Sequence, residues 1–95
     1  MKLSTAILKG SKVAPQCFGC LYVGASRKPT KLCALGAALF AVGELTSNTR
    51  NYKIFPVLEQ INKLKCKCLE LSSLSHLNDE HRWSREKIAK WVSKF

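Results

Sequence analysis

The segment "LCALGAALFAVG", residues 32–43, is the longest apolar run in the chain. Alanine and leucine dominate it, and only one of its residues is β-branched, so its composition favours a helix. Because the segment is apolar on every side, we predict that it forms the buried central helix of the fold. Gly36 costs about 1 kcal/mol relative to alanine inside a helix, which indicates that another backbone packs closely there. Gly43 is placed to cap the helix.

Shorter segments on both sides carry a helical pattern. Apolar residues recur at i, i+3, i+4, i+7 and i+10 across residues 54–64, which predicts an amphipathic helix with Pro56 near its start. Further helices are expected to open within residues 4–8 and to cover residues 69–77. The last helix is expected to begin at Ser84 and to turn one apolar stripe toward the core, formed by Ile88, Trp91, Val92 and Phe95.

The region before the apolar run has a different composition. "CFGCLYV", residues 17–23, is aromatic and β-branched with an internal glycine, which favours a short strand or a tight hairpin. "GASRKPTK", residues 24–31, is typical of a basic loop. The expected fold is therefore mainly α, a compact bundle of four or five short helices in one small domain over residues 1–95. It has at most a small two-stranded β element near residues 16–32.

Positive charge is the strongest functional signal in the composition. The net charge is +10, and no carboxylate occurs before Glu44. Such an excess attracts polyanions, so we expect a nucleic acid or an acidic protein surface as the partner. The candidate contact residues are Arg27, Lys28, Lys31, Arg82, Arg85, Lys87, Lys90 and Lys94. If the last five of them contact phosphates, the logarithm of the binding constant should fall with a slope of about −4.5 against the logarithm of salt concentration.

The stretch "HLNDEHRWSREKIAKWV", residues 76–92, joins the last two predicted helices. The turn is longer than that of a helix-turn-helix and lacks glycine, which argues against sequence-specific DNA reading. Asn78 and Asp79 are expected to accept backbone N–H groups in the turn. Trp83 is expected to pack ahead of the helix as a hydrophobic staple against Ile88 or a neighbour, although tryptophan can also stack on bases.

Cysteine and histidine supply two further hypotheses. A zinc ion usually takes four such ligands, and the compact candidate set is Cys66, Cys68, His76 and His81, with Cys17 and Cys20 as possible substitutes from afar. The two histidines lie five residues apart and can converge only if the helix ends near Asn78. The chain is expected to carry no cofactor or one zinc ion, and the alternative function is a structural or interaction module, either without a metal or stabilised by that zinc.

Cys33 is the candidate nucleophile of an enzyme. A thiol at a helix N-terminus beside Lys31 should have a lowered pKa, and a hydrolase would add a histidine oriented by a group such as Asp79. The simpler interpretation is a small buried residue that begins the central helix. We therefore expect a non-enzymatic protein.

No export or membrane segment is expected. The apolar run of "MKLSTAIL" breaks at Lys9, and residues 32–43 fall short of the roughly 20 residues that span a bilayer. A cytoplasmic location is therefore expected. "CALGAAL", a following Cys-rich spot and "HLNDEHRWSREKIAKWV" together resemble small uncharacterised bacterial and phage proteins that share the two segments. The resemblance implies a phage or mobile-element setting and no particular activity.

Overall fold

The computed structural model describes residues 1–46, 54–64 and 73–95. Within these ranges the chain forms five helices and one two-stranded antiparallel sheet, in the order α1 (Leu3–Ser11), β1 (Tyr22–Gly24), β2 (Pro29–Leu32), α2 (Ala34–Ala41), α3 (Val57–Asn62), α4 (Leu74–Asp79) and α5 (Arg85–Val92). The predicted mainly helical fold with a small β element near residues 16–32 is confirmed.

The central position of α2 is also confirmed. Ala37 and Ala38 have no exposed surface and Leu39 is 2% exposed. Helix α2 packs against α1, α4 and β2, and α1 packs in turn against α5. The apolar run therefore forms the centre around which the shorter segments assemble.

Two glycines allow backbones to pack closely against α2. A Cβ atom at Gly36 would overlap the Leu21 carbonyl oxygen, and one at Gly10 would overlap the Ala37 carbonyl oxygen. The close approach predicted at Gly36 is thus confirmed, with the loop before β1 as the neighbour. The predicted cap is present as well. Gly43 has φ +74° and donates to Phe40, while the next N–H donates to Leu39, which is the Schellman pattern.

Helix α1 buries one stripe of its surface. Leu3, Ala6, Ile7 and Gly10 are buried, whereas Leu8 is 43% exposed. The buried positions follow the i, i+3, i+4, i+7 rule. Leu8 lies outside that stripe because it is about 100° from Ile7 around the helix axis.

The sheet occupies part of the predicted basic loop. Strand β2 begins at Pro29, so only residues 25–28 connect the strands, and Tyr22 pairs with Leu32. Two backbone hydrogen bonds to Leu32 fix the segment before β1. The Cys17 N–H donates to the Leu32 carbonyl, and the Leu32 N–H donates to the Pro15 carbonyl. Leu32 is thus the point where the sheet, α2 and the Cys17 loop (residues 12–21, between α1 and β1) meet.

The later helices are shorter than predicted. Leu58 and Ile61 of α3 are buried. The predicted helix over residues 69–77 is not continuous, because Ser73 is extended and its hydroxyl accepts from His76 N–H as the N-cap of α4. Residues 69–72 lie outside the described residues.

Helix α5 begins after the predicted Ser84 cap. Its buried stripe differs from the predicted one, since Phe95 is 43% exposed and Trp91 is half-buried. The stripe runs instead through Arg85, Ile88, Ala89 and Val92, with spacings of three, four and seven residues.

Candidate nucleic-acid interface

The turn between α4 and α5 is built from local hydrogen bonds and one unusual backbone conformation. Helix α4 ends at Asp79, and Arg82 adopts φ +52°, which turns the chain toward α5. The Ser84 hydroxyl then accepts from Lys87 N–H at 3.1 Å, and Glu86 lies in the first turn, where the helix dipole favours an acid. This corner holds α5 in a fixed direction.

Asn78 fastens the corner to the rest of the protein. It has no exposed surface, and its Oδ1 accepts from Gln16 Nε2 at 2.7 Å and from Ala34 N–H at 3.1 Å. Its Nδ2 donates to the Cys17 carbonyl at 2.9 Å and to Asp79 Oδ1 at 2.6 Å. The amide therefore joins α4 to the first turn of α2 and to the Cys17 loop. The prediction that Asn78 accepts backbone N–H groups in its own turn is wrong about the partner, which lies on α2.

Arg85 is buried rather than part of the charged surface. The residue is 7% exposed, and its Nη1 and Nη2 donate to the Leu32 carbonyl at 3.1 Å and to the Ser11 carbonyl at 3.3 Å. Burial lowers the pKa of its guanidinium, although arginine stays protonated at any ordinary pH. Ser11 ends α1, where carbonyl groups favour a nearby cation. The prediction that Arg85 contacts a partner conflicts with this burial, because its position lies on the core stripe.

The other predicted cations of this region are exposed: Arg82, Lys87, Lys90 and Lys94. Two of them stack on aromatic rings. The Arg82 guanidinium lies 4.2 Å from the centroid of the Phe18 ring, and Lys87 Nζ lies 4.3 Å from the centroid of a Trp83 ring. Such contacts attract a cation toward the ring and limit its freedom. They hold two charges in place at the start of α5.

The predicted cations near the sheet are exposed on a different element. Arg27 and Lys28 lie in the connection between the strands, and Lys31 lies on β2. The structure therefore separates the predicted contact residues into a hairpin group and an α5 group.

An aromatic row follows α5 beside its lysines. The Trp83 and Trp91 ring centroids are 6.3 Å apart, and those of Trp91 and Phe95 are 5.0 Å apart, both edge to face. We use "aromatic row" for these three residues. The sequence predicts that Trp83 packs against Ile88 or a neighbouring residue. In the structure, the aromatic ring beside Trp83 is that of Trp91. Phe18, under Arg82, is 40% exposed and was not predicted as a site residue.

The histidines of the zinc hypothesis do converge. Because α4 ends at Asp79, the His76 and His81 ring centroids lie 4.8 Å apart. Cys66 and Cys68 lie outside the described residues. Within residues 1–46, 54–64 and 73–95, no group of three or more Cys, His, Asp or Glu side chains could hold a metal ion. The zinc site stays a prediction, which metal analysis of the reduced protein can test.

Cys33 lies at the predicted N-cap of α2, and its Sγ accepts from Gly36 N–H at 3.3 Å. The expected lowering of its pKa is nevertheless wrong. Burial raises the pKa of the thiol to about 11, and the nearby Asp79 carboxylate also raises it, which together outweigh the helix N–H groups. Burial likewise raises the pKa of Cys17 to about 12. Both thiols therefore stay protonated at neutral pH.

These thiols make the fold sensitive to alkali. Above the ordinary thiol pKa of 9.0, the unfolded chain releases both protons while the folded chain retains them to about 11 and about 12. Below the unfolded pKa of 9.0 both states hold these protons, and the folded state has its full stability. This stability is lost progressively as the pH rises from 9.0 toward about 12. We expect urea midpoints to fall between about pH 8 and about pH 10, and to fall less in a Cys17→Ala/Cys33→Ala variant. Equal losses in the two proteins would contradict this.

Within the part of the chain that the structure describes, no helix has the length and apolar character needed to cross a membrane. Comparison with protein-family models, curated proteins and solved structures finds no match.

Proposed function

We propose that this chain is a non-enzymatic nucleic-acid-binding protein whose contact surface is the outer face of α5 with the preceding corner. The observation that carries the proposal is the position of Lys87, Lys90 and Lys94 opposite the buried stripe of α5, with Arg82 at its start. Phosphate binding needs a cationic face of this kind and no base-reading side chains.

The charge balance of α5 supports this surface. Glu86 is the one carboxylate in its sequence, and it lies in the first turn, where it also serves the helix N-terminus. Arg85 is turned inward, so four cations remain for a polyanion in this region.

Aromatic rings favour a nucleic acid over an acidic protein. Carboxylates can neutralise lysines, but they offer nothing to the rings that lie among these cations. Bases stack on aromatic side chains, and such stacking adds to the phosphate contacts. The combination of stacked cations and partly exposed rings therefore fits a nucleic acid better.

Salt dependence tests the proposal. Four phosphate contacts to single-stranded DNA predict a slope of about −2.8 for the logarithm of the binding constant against the logarithm of salt concentration. Replacing Lys87, Lys90 and Lys94 with glutamine should reduce the slope to about −0.7. The measurement is fluorescence anisotropy of a labelled oligo(dT) across a range of salt concentrations.

The hairpin group provides a control with the same change in charge. The variant Arg27→Gln/Lys28→Gln/Lys31→Gln also loses three positive charges, and it should retain most of the slope. The proposal fails if both triple variants lose binding equally, since net charge alone would then explain it. It also fails if poly-L-glutamate binds as tightly as the oligonucleotide, which would favour an acidic protein partner.

A further inference from the structure

The aromatic row gives the proposed surface a feature that phosphate binding does not require. Trp83 and Trp91 are half-buried and Phe95 is 43% exposed, so each ring retains surface that could meet a ligand. Trp91 and Phe95 lie four residues apart at the end of α5, and Trp83 precedes its N-cap. The rings thus form a continuous series along the length of the helix.

The rings and the lysines lie side by side. Lys87 lies over the Trp83 ring, which precedes the helix, and Trp91 follows Lys87 by four residues on the same side of α5, so ring, cation and ring alternate along this surface. Lys90 and Lys94 lie on the neighbouring line toward solvent, and Glu86 lies beyond them on the side away from Trp91. A strand running along α5 would place its phosphates on the lysines and its bases on the rings.

Duplexes cannot use such a row. Their base faces are stacked inside the helix, and only base edges and phosphates reach the surface. Single strands expose base faces, and aromatic side chains then act as stacking platforms with little sequence preference. We infer that the protein prefers single-stranded nucleic acid, with bases stacked on the aromatic row. This inference rests on the proposed function.

Lys87 lies against one ring of the aromatic row. Without a ligand, its ammonium lies over the Trp83 ring. A base that stacks on this ring would take the place of the ammonium, which could then contact a phosphate.

The two tryptophans of the chain are both in the aromatic row, so tryptophan fluorescence, excited apart from that of tyrosine, reports on this surface. The full chain is titrated at low salt with oligo(dT), with a hairpin duplex of equal phosphate number and with heparin, which has charge but no bases. Oligo(dT) should quench the fluorescence and bind more tightly than the other two. Anisotropy of labelled oligo(dT) should show roughly 5- to 150-fold weaker binding by Trp91→Leu. Duplex binding should be unchanged.

Matched variants separate stacking from folding. Phe95→Ala alters an exposed ring and should also weaken oligo(dT) binding, whereas Phe40→Leu removes a half-buried ring of α2 and should not. The inference is overturned if oligo(dT) and duplex bind equally, heparin binds more weakly and both row variants retain affinity, since phosphate contacts alone would then explain the binding and the proposed function would stand. If no polyanion binds, the proposed function itself fails.

Discussion

Replacing Asn78 with leucine is expected to lower the free energy of unfolding by about 3 to 5 kcal/mol. The two side chains have similar size, so the loss comes from hydrogen bonds rather than from a cavity. Asn78 has no exposed surface and uses both amide ends fully. A leucine side chain forms no hydrogen bonds. The buried Ala34 N–H would therefore lose its side-chain acceptor, and the Cys17 carbonyl would lose its side-chain donor. Each unpaired buried group costs about 1–3 kcal/mol.

The effect should extend beyond α4. Gln16 Nε2 also donates to the Trp83 carbonyl at 2.8 Å, so losing Asn78 Oδ1 leaves Gln16 held at the corner by that contact. We expect the Cys17 loop and the start of α5 to loosen together, because the same amide network joins them.

Urea unfolding followed by circular dichroism measures the change. Asn62→Leu is the control, since it makes the same substitution at a half-buried position at the end of α3, away from this network. The control should change stability by less than about 1 kcal/mol. If both variants lose equal stability, the network around Asn78 does not stabilise the corner as described.

Local patterns in the sequence predicted where the described helices lie but not their full extent, since α3 is shorter than predicted and α4 begins later. The apolar run of residues 32–43 identified the central helix, and Ser84 with Glu86 identified the start of α5, because capping depends on residues a few positions apart. Phe18 and Gln16 could not be assigned to the corner in this way. Gln16 bonds to Asn78 and to Trp83 across 62 and 67 positions. The periodicity of apolar residues along a helix does not indicate contacts between residues so far apart in the sequence.

The burial of Arg85 could have been predicted from the spacing of apolar residues in the sequence. Extending the spacing of Ile88 and Val92 backward places Arg85 on the buried stripe, three residues before Ile88. Its charge suggested an exposed residue instead. Its buried partners are backbone carbonyl oxygens of Ser11 and Leu32, and every residue type has such an oxygen. Composition therefore could not reveal them.

Exchanging Arg85 and Lys87 for glutamine one at a time should separate stability from binding. Arg85→Gln should lower the free energy of unfolding by about 3 kcal/mol, because hydrogen bonds from a charged donor contribute about 1.5–3 kcal/mol each. One glutamine amide is shorter and cannot reach both the Ser11 and Leu32 carbonyls. Lys87→Gln should change stability by less than about 1 kcal/mol, because its ammonium stacks on Trp83 at the surface.

Binding should show the opposite order. Lys87→Gln removes one phosphate contact and should reduce the salt slope by about 0.7 on single-stranded DNA, while Arg85→Gln should leave it unchanged at temperatures where the variant is folded. Each variant loses one positive charge, so each controls for the net charge of the other. Urea unfolding and oligo(dT) anisotropy are measured on both proteins. A large loss of affinity in folded Arg85→Gln would place that guanidinium at the ligand instead of between α1, β2 and α5.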